Sequence, residues 1–236
     1  MNIPYQHLEI EQIYTQVFTA PKIAIAICSA NAGEGVTSLT MALAERNLLA
    51  GHSTLVVDLN LYRPALKNML SIAKVGLKSA SILSAPQLVT AQQHQLAFTG
   101  IVAPLQREKI IKLRQPGVLE QSIKQWLKDY DCVIIDTSPL NRINAQNIPA
   151  ERVAAACDGA VLMVLAGQTS EAMLCSAVAK LKTSNAQLLG CVFNDRDNPS
   201  LKNELLHKVQ RISKFSWLTR PLKKMIAHNQ LLNLEV

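Results

Sequence analysis

"SANAGEGVTSLTMALA", residues 29–44, decides how this chain is read. It follows an apolar run, "KIAIAICSA" at 22–30, and leads into a stretch with helical spacing. Gly33 and Gly35 flank Glu34, and Thr37 and Ser38 open the segment that follows. Backbone N–H groups of a glycine-rich turn, together with the N-terminus of the next helix, form an anion cradle, and a Ser/Thr at its start coordinates Mg²⁺. One part is missing: Val36 stands where such loops carry a lysine for the β- and γ-phosphates. A tight strand-to-helix turn that needs glycine for sterics alone would carry the same residues, so the loop by itself leaves both readings open.

Working outward, apolar runs recur at 53–60, 97–104, 131–139, 159–167 and 187–195. They are rich in valine and isoleucine and do not alternate, which suits strands buried on both faces. Helical spacing fills 36–50, 117–129, 146–157 and 170–184, and a shorter N-terminal helix is expected at about 6–18. Strands alternating with helices imply βαβ units and a doubly wound, mostly parallel α/β sheet with helices on both faces. The segment from Pro64 to Leu96 reads as short helices and loops at the sheet's edge.

At 236 residues and 49% hydrophobic, the chain can bury one substantial core. The expected organisation is one α/β domain over 1–198 and a helical basic tail over 199–236. No apolar stretch approaches the roughly 20 residues of a membrane span, and the N-terminus lacks a signal-peptide pattern, so a cytoplasmic chain is expected. Cys28, Cys132, Cys157, Cys175 and Cys191 are odd in number and widely spaced. They read as reduced core residues rather than a zinc or disulfide set.

Two acids strengthen the phosphate-loop reading. "TLVVDLNLYRP" ends a strand with Asp58, placed to hold a magnesium-bound water, and "YDCVIIDTSP" ends another with Asp136. Carboxylates at the C-terminal edge of a parallel sheet face the ligand crevice. Asp131, at the start of its strand, reads as structural.

The blocks "GEGVTS", "VVDLNLYRP", "YDCVIIDTSPL", "CDGAVLMVLAG" and "LLGCVFN", in this order, resemble bacterial tyrosine kinases of the capsular and exopolysaccharide systems, within the MinD/ParA group of P-loop ATPases. The resemblance covers about residues 8–195. It implies a P-loop NTPase fold, with Mg-ATP or Mg-ADP held by Gly33, Glu34, Gly35, Val36, Thr37 and Ser38, the metal by Thr37, Asp58 and Asp136, and the purine by Asn194.

The departures fall on the chemistry. Lysine is usual at Val36, and the signature lysine of the MinD/ParA branch aligns with Asn31. The second acid of a DxD is Asn60, and Tyr62 stands where arginine is common, although Arg63 and Pro64 match. The ring-assembly pattern of the N-terminal helix keeps Glu11 but has Tyr14 and Val17 for its arginines, and no tyrosine follows Tyr130. Losing the charge that stabilises a transferring phosphoryl lowers kcat by orders of magnitude, whereas backbone amides and metal still favour binding. The sequence therefore points to a pseudo-ATPase with no catalytic residues of its own, binding Mg-nucleotide or nothing. An active ATPase or tyrosine kinase would need a substitute cation such as Arg63, Lys109 or Lys112.

By resemblance the partner is a membrane polysaccharide assembly or chain-length protein. The net charge is +7, and the segment after Asn198 is rich in Lys and Arg. Leu201, Leu205, Val209 and Ile212 share one helical face, and residues 214–228 interleave basic with apolar side chains. A packed last helix, a docking site for an acidic partner, or contact with anionic lipid at the inner membrane all fit that tail. The last would suit a MinD- or TadZ-like positioning protein. No base-reading motif accompanies the charge, which argues against nucleic acid. Oligomeric state is not legible.

Overall fold

The computed structural model describes residues 6–66, 83, 86–90, 97–102, 104, 106–142 and 147–196. The order along the chain is α1 (Leu8–Val17), β1 (Ile23–Ser29), α2 (Val36–Leu49), β2 (Thr54–Asp58), β3 (Gln87–Thr90), β4 (Ala97–Ile101), α3 (Arg107–Leu113), α4 (Val118–Asp129), β5 (Cys132–Asp136), α5 (Ala150–Ala156), β6 (Gly159–Leu165), α6 (Glu171–Thr183) and β7 (Leu188–Asn194). The chain divides into a larger unit, Met1–Val164 with Thr169–Asn194, and a smaller one, Leu165–Gln168 with Asp195–Val236. Within the smaller unit, the turn after β6 closes through Gln168 N–H on Leu165 O at 3.2 Å. The expected helix at 200–213 and the basic stretch 214–228 lie outside the described residues.

One seven-stranded sheet runs β3-β4-β2-β5-β1-β6-β7. β1 pairs in parallel with β5 and β6, and β2 in parallel with β4 and β5. β1 shows why both faces must be covered. Ala24, Ala26 and Cys28 enter one apolar cluster, with Leu113, Leu119, Ile123, Val153 and Leu181 of the helices α3–α6. Ile23, Ile25 and Ile27 enter the other, with Ile10 and Val17 of α1 and Leu39 and Leu43 of α2. Alternate side chains of a strand point to opposite faces, so an unbroken apolar run is the signature of a sheet sandwiched between two helix layers.

Two elements were not foreseen. β3 is an antiparallel edge strand in a segment read as short helices and loops. Its four residues pair only with β4 and expose Leu88, so there is no buried run to betray it. The seven-residue α3 buries only Ile110 and Leu113, a single i, i+3 apolar pair that does not establish a helical pattern in the sequence. The cysteine reading needs correction as well. All five are free, but Cys175 and Cys191 are exposed, Cys175 on α6 and Cys191 on the open face of the edge strand β7. Apolar neighbours in sequence do not bury a residue whose face of the element is uncovered.

The three positions that match the ring-assembly pattern are used within the chain. Arg46 of α2 donates to both Glu11 oxygens, at 2.5 and 2.6 Å, and its guanidinium lies 4.3 Å from the Tyr14 ring centre. The Arg46 hydrogen bonds, helped by its charge and opposed by burial, hold the Glu11 carboxyl below the usual range. Val17 is core, at 4% exposure. α1 is thereby fastened to α2, the helix that carries the phosphate loop's end.

Candidate nucleotide-binding site

β1 and α2 are joined by residues 30–35, and the turn depends on Gly33 and Gly35, at φ +88° and +106°. L-residues with side chains rarely adopt this left-handed region. At Gly35 a Cβ would also lie 2.7 Å from Asn194 Nδ2. Gly35 is the N-cap of α2, so no side chain caps the helix, and the first helical bond runs from Leu39 N–H to Gly35 O at 3.0 Å. An uncapped, amide-rich helix start is what an anion needs.

The loop is held by its own Glu34. This side chain is buried; Oε2 accepts from Ala30 N–H at 2.9 Å, while Oε1 accepts from Thr169 Oγ1 at 2.7 Å and Asn31 Nδ2 at 3.1 Å. Asn194, closing β7, donates to Glu34 O at 3.0 Å. Asn31 turns back over the loop, its amide also 3.3 Å from Met173 Sδ. The structure thus brings Asn194 against the loop as a clamp, a contact with no signal in the sequence. Thr169 was missed for the same reason: one hydroxyl in "GQTS" carries no periodicity.

On the other side of the loop the acids meet. Thr37 Oγ1 donates to Asp136 Oδ2 at 2.5 Å, and Asn60 Nδ2 reaches Asp136 Oδ1 at 3.4 Å. Asp58 accepts from Asn60 N–H at 2.9 Å, Ala65 N–H at 2.8 Å and Leu66 N–H at 3.0 Å. Both aspartates are buried. Burial, then the Asp58 charge, pushes the Asp136 carboxyl up to about 8, against the pull of the Thr37 and Asn60 hydrogen bonds. Burial also raises Asp58, opposed by its three backbone donors. Two carboxylates in one dry place disfavour each other's charge, and a divalent cation removes that conflict. Among the described residues no three His, Cys, Asp or Glu side chains form a metal cage. A Thr hydroxyl beside two acids instead fits a magnesium that takes its remaining ligands from phosphate and water.

Val36 is 7% exposed and belongs to the apolar cluster of Ile27, Leu39 and Met163. Position 36 is therefore occupied by packing. Lys109 and Lys112 lie on α3, not on the loops that ring the site. Arg63 lies beside Tyr62, as does Arg142, which sequence reasoning passed over. Asp131 caps Ser53 N–H at 2.9 Å, the structural role expected of it.

No protein-family model matches the chain. The tyrosine-protein kinase CpsD of Streptococcus pneumoniae serotype 4 is 26% identical over 179 residues, covering 73% of this chain and 76% of the relative. Among solved structures, the kinase domain of the Escherichia coli tyrosine kinase ETK superposes with a TM-score of 0.59 at 16% identity, over 82% of this chain and 80% of that one. The septum site-determining protein MinD of Pyrococcus horikoshii, complexed with Mg-ADP, gives 0.55 at 20% identity, over 75% and 72%. With the sheet order and the loop between β1 and α2, these findings show a chain homologous to the CpsD tyrosine kinase that has the P-loop NTPase fold of the MinD group.

Proposed function

We propose that this chain binds a magnesium-nucleotide without efficient phosphoryl transfer and serves as a regulatory or scaffold partner in bacterial exopolysaccharide or capsule production. The observation that carries this reading is Val36, a buried apolar side chain at the position of the transfer lysine. The residues left in place are those that bind. The α2 N-terminus and the glycine turn offer N–H groups to an anion, Thr37 with Asp58 and Asp136 would hold the metal, and Asn194 fixes the loop's shape. A bound magnesium would supply charge to screen the phosphates, while the chain itself supplies no lysine at the loop to follow charge as it moves in transfer. The homologue is a tyrosine kinase, and the polysaccharide setting is inferred from that resemblance.

The test is equilibrium binding of Mg-ADP and Mg-ATP to the full chain, with hydrolysis measured beside an Asp136→Ala variant. Micromolar binding, with turnover no greater than that of the variant, is the expected result. Hydrolysis well above that background would make the chain an active ATPase, and absence of binding at millimolar nucleotide would remove the nucleotide from its function.

A further inference from the structure

The segment after Asp136 is fastened along the phosphate loop. Leu140 N–H donates to Ser29 O and Asn141 N–H to Ala30 O, both at 2.9 Å. Lys180 of α6 donates to Leu140 O at 2.7 Å and to Asn141 Oδ1 at 3.1 Å, and Asn141 Nδ2 donates to Met173 O at 3.2 Å. The next residue is Arg142. Its own N–H donates to Pro139 O at 3.2 Å, and its carbonyl accepts from Asn147 Nδ2 at 3.4 Å. An exposed guanidinium is thus mounted on a fixed backbone one residue beyond the contact with the phosphate loop.

That guanidinium turns toward the exit of β2. Nη1 donates to the Tyr62 hydroxyl at 2.7 Å, and the charge lies 4.9 Å from the Tyr62 ring centre. Arg63 lies over the same ring at 5.9 Å. Tyr62 comes two residues after Asn60, whose amide contacts Asp136. Through the Tyr62 phenol, Arg142 therefore joins the exits of β2 and β5, on the acid side of the loop, with Arg63 beside the same ring.

The chemistry of this arrangement is specific. A guanidinium has five N–H donors, and one spent on a neutral phenol leaves the charge uncancelled and the others able to pair with phosphate oxygens. Thr37, Asp58 and Asp136 would hold a metal on this side of the loop, where its charge would screen the outer phosphates, so the acid side is the side expected for the terminal phosphate. An aspartate at position 60 would put a third carboxylate there to compete for the arginine; Asn60 does not. We propose that Arg142, oriented by Tyr62, is a ground-state binding cation for the terminal phosphate of a nucleoside triphosphate, so that the site distinguishes triphosphate from diphosphate without supplying the loop lysine's part in transfer. This rests on the reading above that the loop binds nucleotide.

Calorimetric titration of the full chain with Mg-ADP and with the magnesium complex of a non-hydrolysable ATP analogue tests it, for wild type, Arg142→Ala, Arg142→Lys and Tyr62→Phe. Arg142→Ala is expected to weaken the triphosphate analogue at least about tenfold, the worth of one charged hydrogen bond, with ADP changed less than about twofold. Arg142→Lys should recover part of that loss, and Tyr62→Phe should show a smaller one. Equal losses for both nucleotides, or none, overturn the assignment while leaving nucleotide binding intact. If wild type binds neither nucleotide, both readings fall together. Unchanged melting temperatures show that the folded state has been compared throughout.

Discussion

Asn60 Nδ2 and Asp136 Oδ1 lie 3.4 Å apart, an amide donor facing a buried carboxylate. Asn60→Asp would set a third carboxyl beside two buried ones. Without divalent cation this is expected to destabilise the fold by about 2 kcal/mol or more, since an unpaired buried charge is costly. With millimolar Mg²⁺ most of the loss should return. Urea unfolding with and without the metal checks it, and equal losses in both conditions would show that position 60 does not face the cation.

Val36→Lys tests the cradle from the opposite direction. The ammonium cannot remain in an apolar cluster, so the free protein should lose about 1–3 kcal/mol. Nucleotide should restore stability, and its affinity should exceed that of wild type. Thermal melts and calorimetry read the two effects separately. A destabilised variant with no gain in affinity would mean that the loop does not present position 36 to phosphate.

The acid pair also predicts a pH dependence. Asp136 ordinarily titrates near 3.8, and burial pushes it up to about 8 in the folded chain. Between those values the folded state holds a proton that the unfolded state has released. Its contribution to stability is therefore present in full below the lower value and is lost as pH rises through the window. In metal-free buffer the melting temperature should fall by about 5 °C or more between about pH 5 and 8, at roughly 2–4 °C per kcal/mol for a chain of this size. Asp136→Asn should flatten that slope. A wild-type slope identical to the variant's would show that Asp136 is ionised across the range.

Glu34 is the tie at the other side of the loop. Glu34→Ala removes the acceptor of Ala30 N–H, Asn31 Nδ2 and Thr169 Oγ1 together, an expected cost of about 1–3 kcal/mol. Amide hydrogen exchange at Ala30 should accelerate while β5 stays protected. Unchanged protection at Ala30 would count against the tie.

What could be read from the chain depended on how many residues share a signal. β1 and β6 are seven-residue strands whose central residues are all apolar and whose every position is buried, and the layers of helices follow from them. Asp58, Asp136 and the glycine turn were legible because each ends a strand or opens a helix, a position with its own chemistry. The contacts that complete the site are long-range pairs of single polar groups. Thr169 with Glu34 and Arg142 with Tyr62 are examples, 135 and 80 residues apart in the chain. No periodicity connects such partners, and only the folded sheet brings them together. Asn194, which the family resemblance places at the purine, also holds the carbonyl of Glu34 in the loop.

The grip of Asn194 on Glu34 O, added to Glu34's own hold on Ala30, has a kinetic meaning. A loop that settles on its ligand must first lose conformational freedom, and both its association rate and its binding entropy suffer for it. Here the chain supplies that order beforehand. For the nucleotide binding proposed above, occupancy of the cradle should then track nucleotide concentration as quickly as diffusion and release permit.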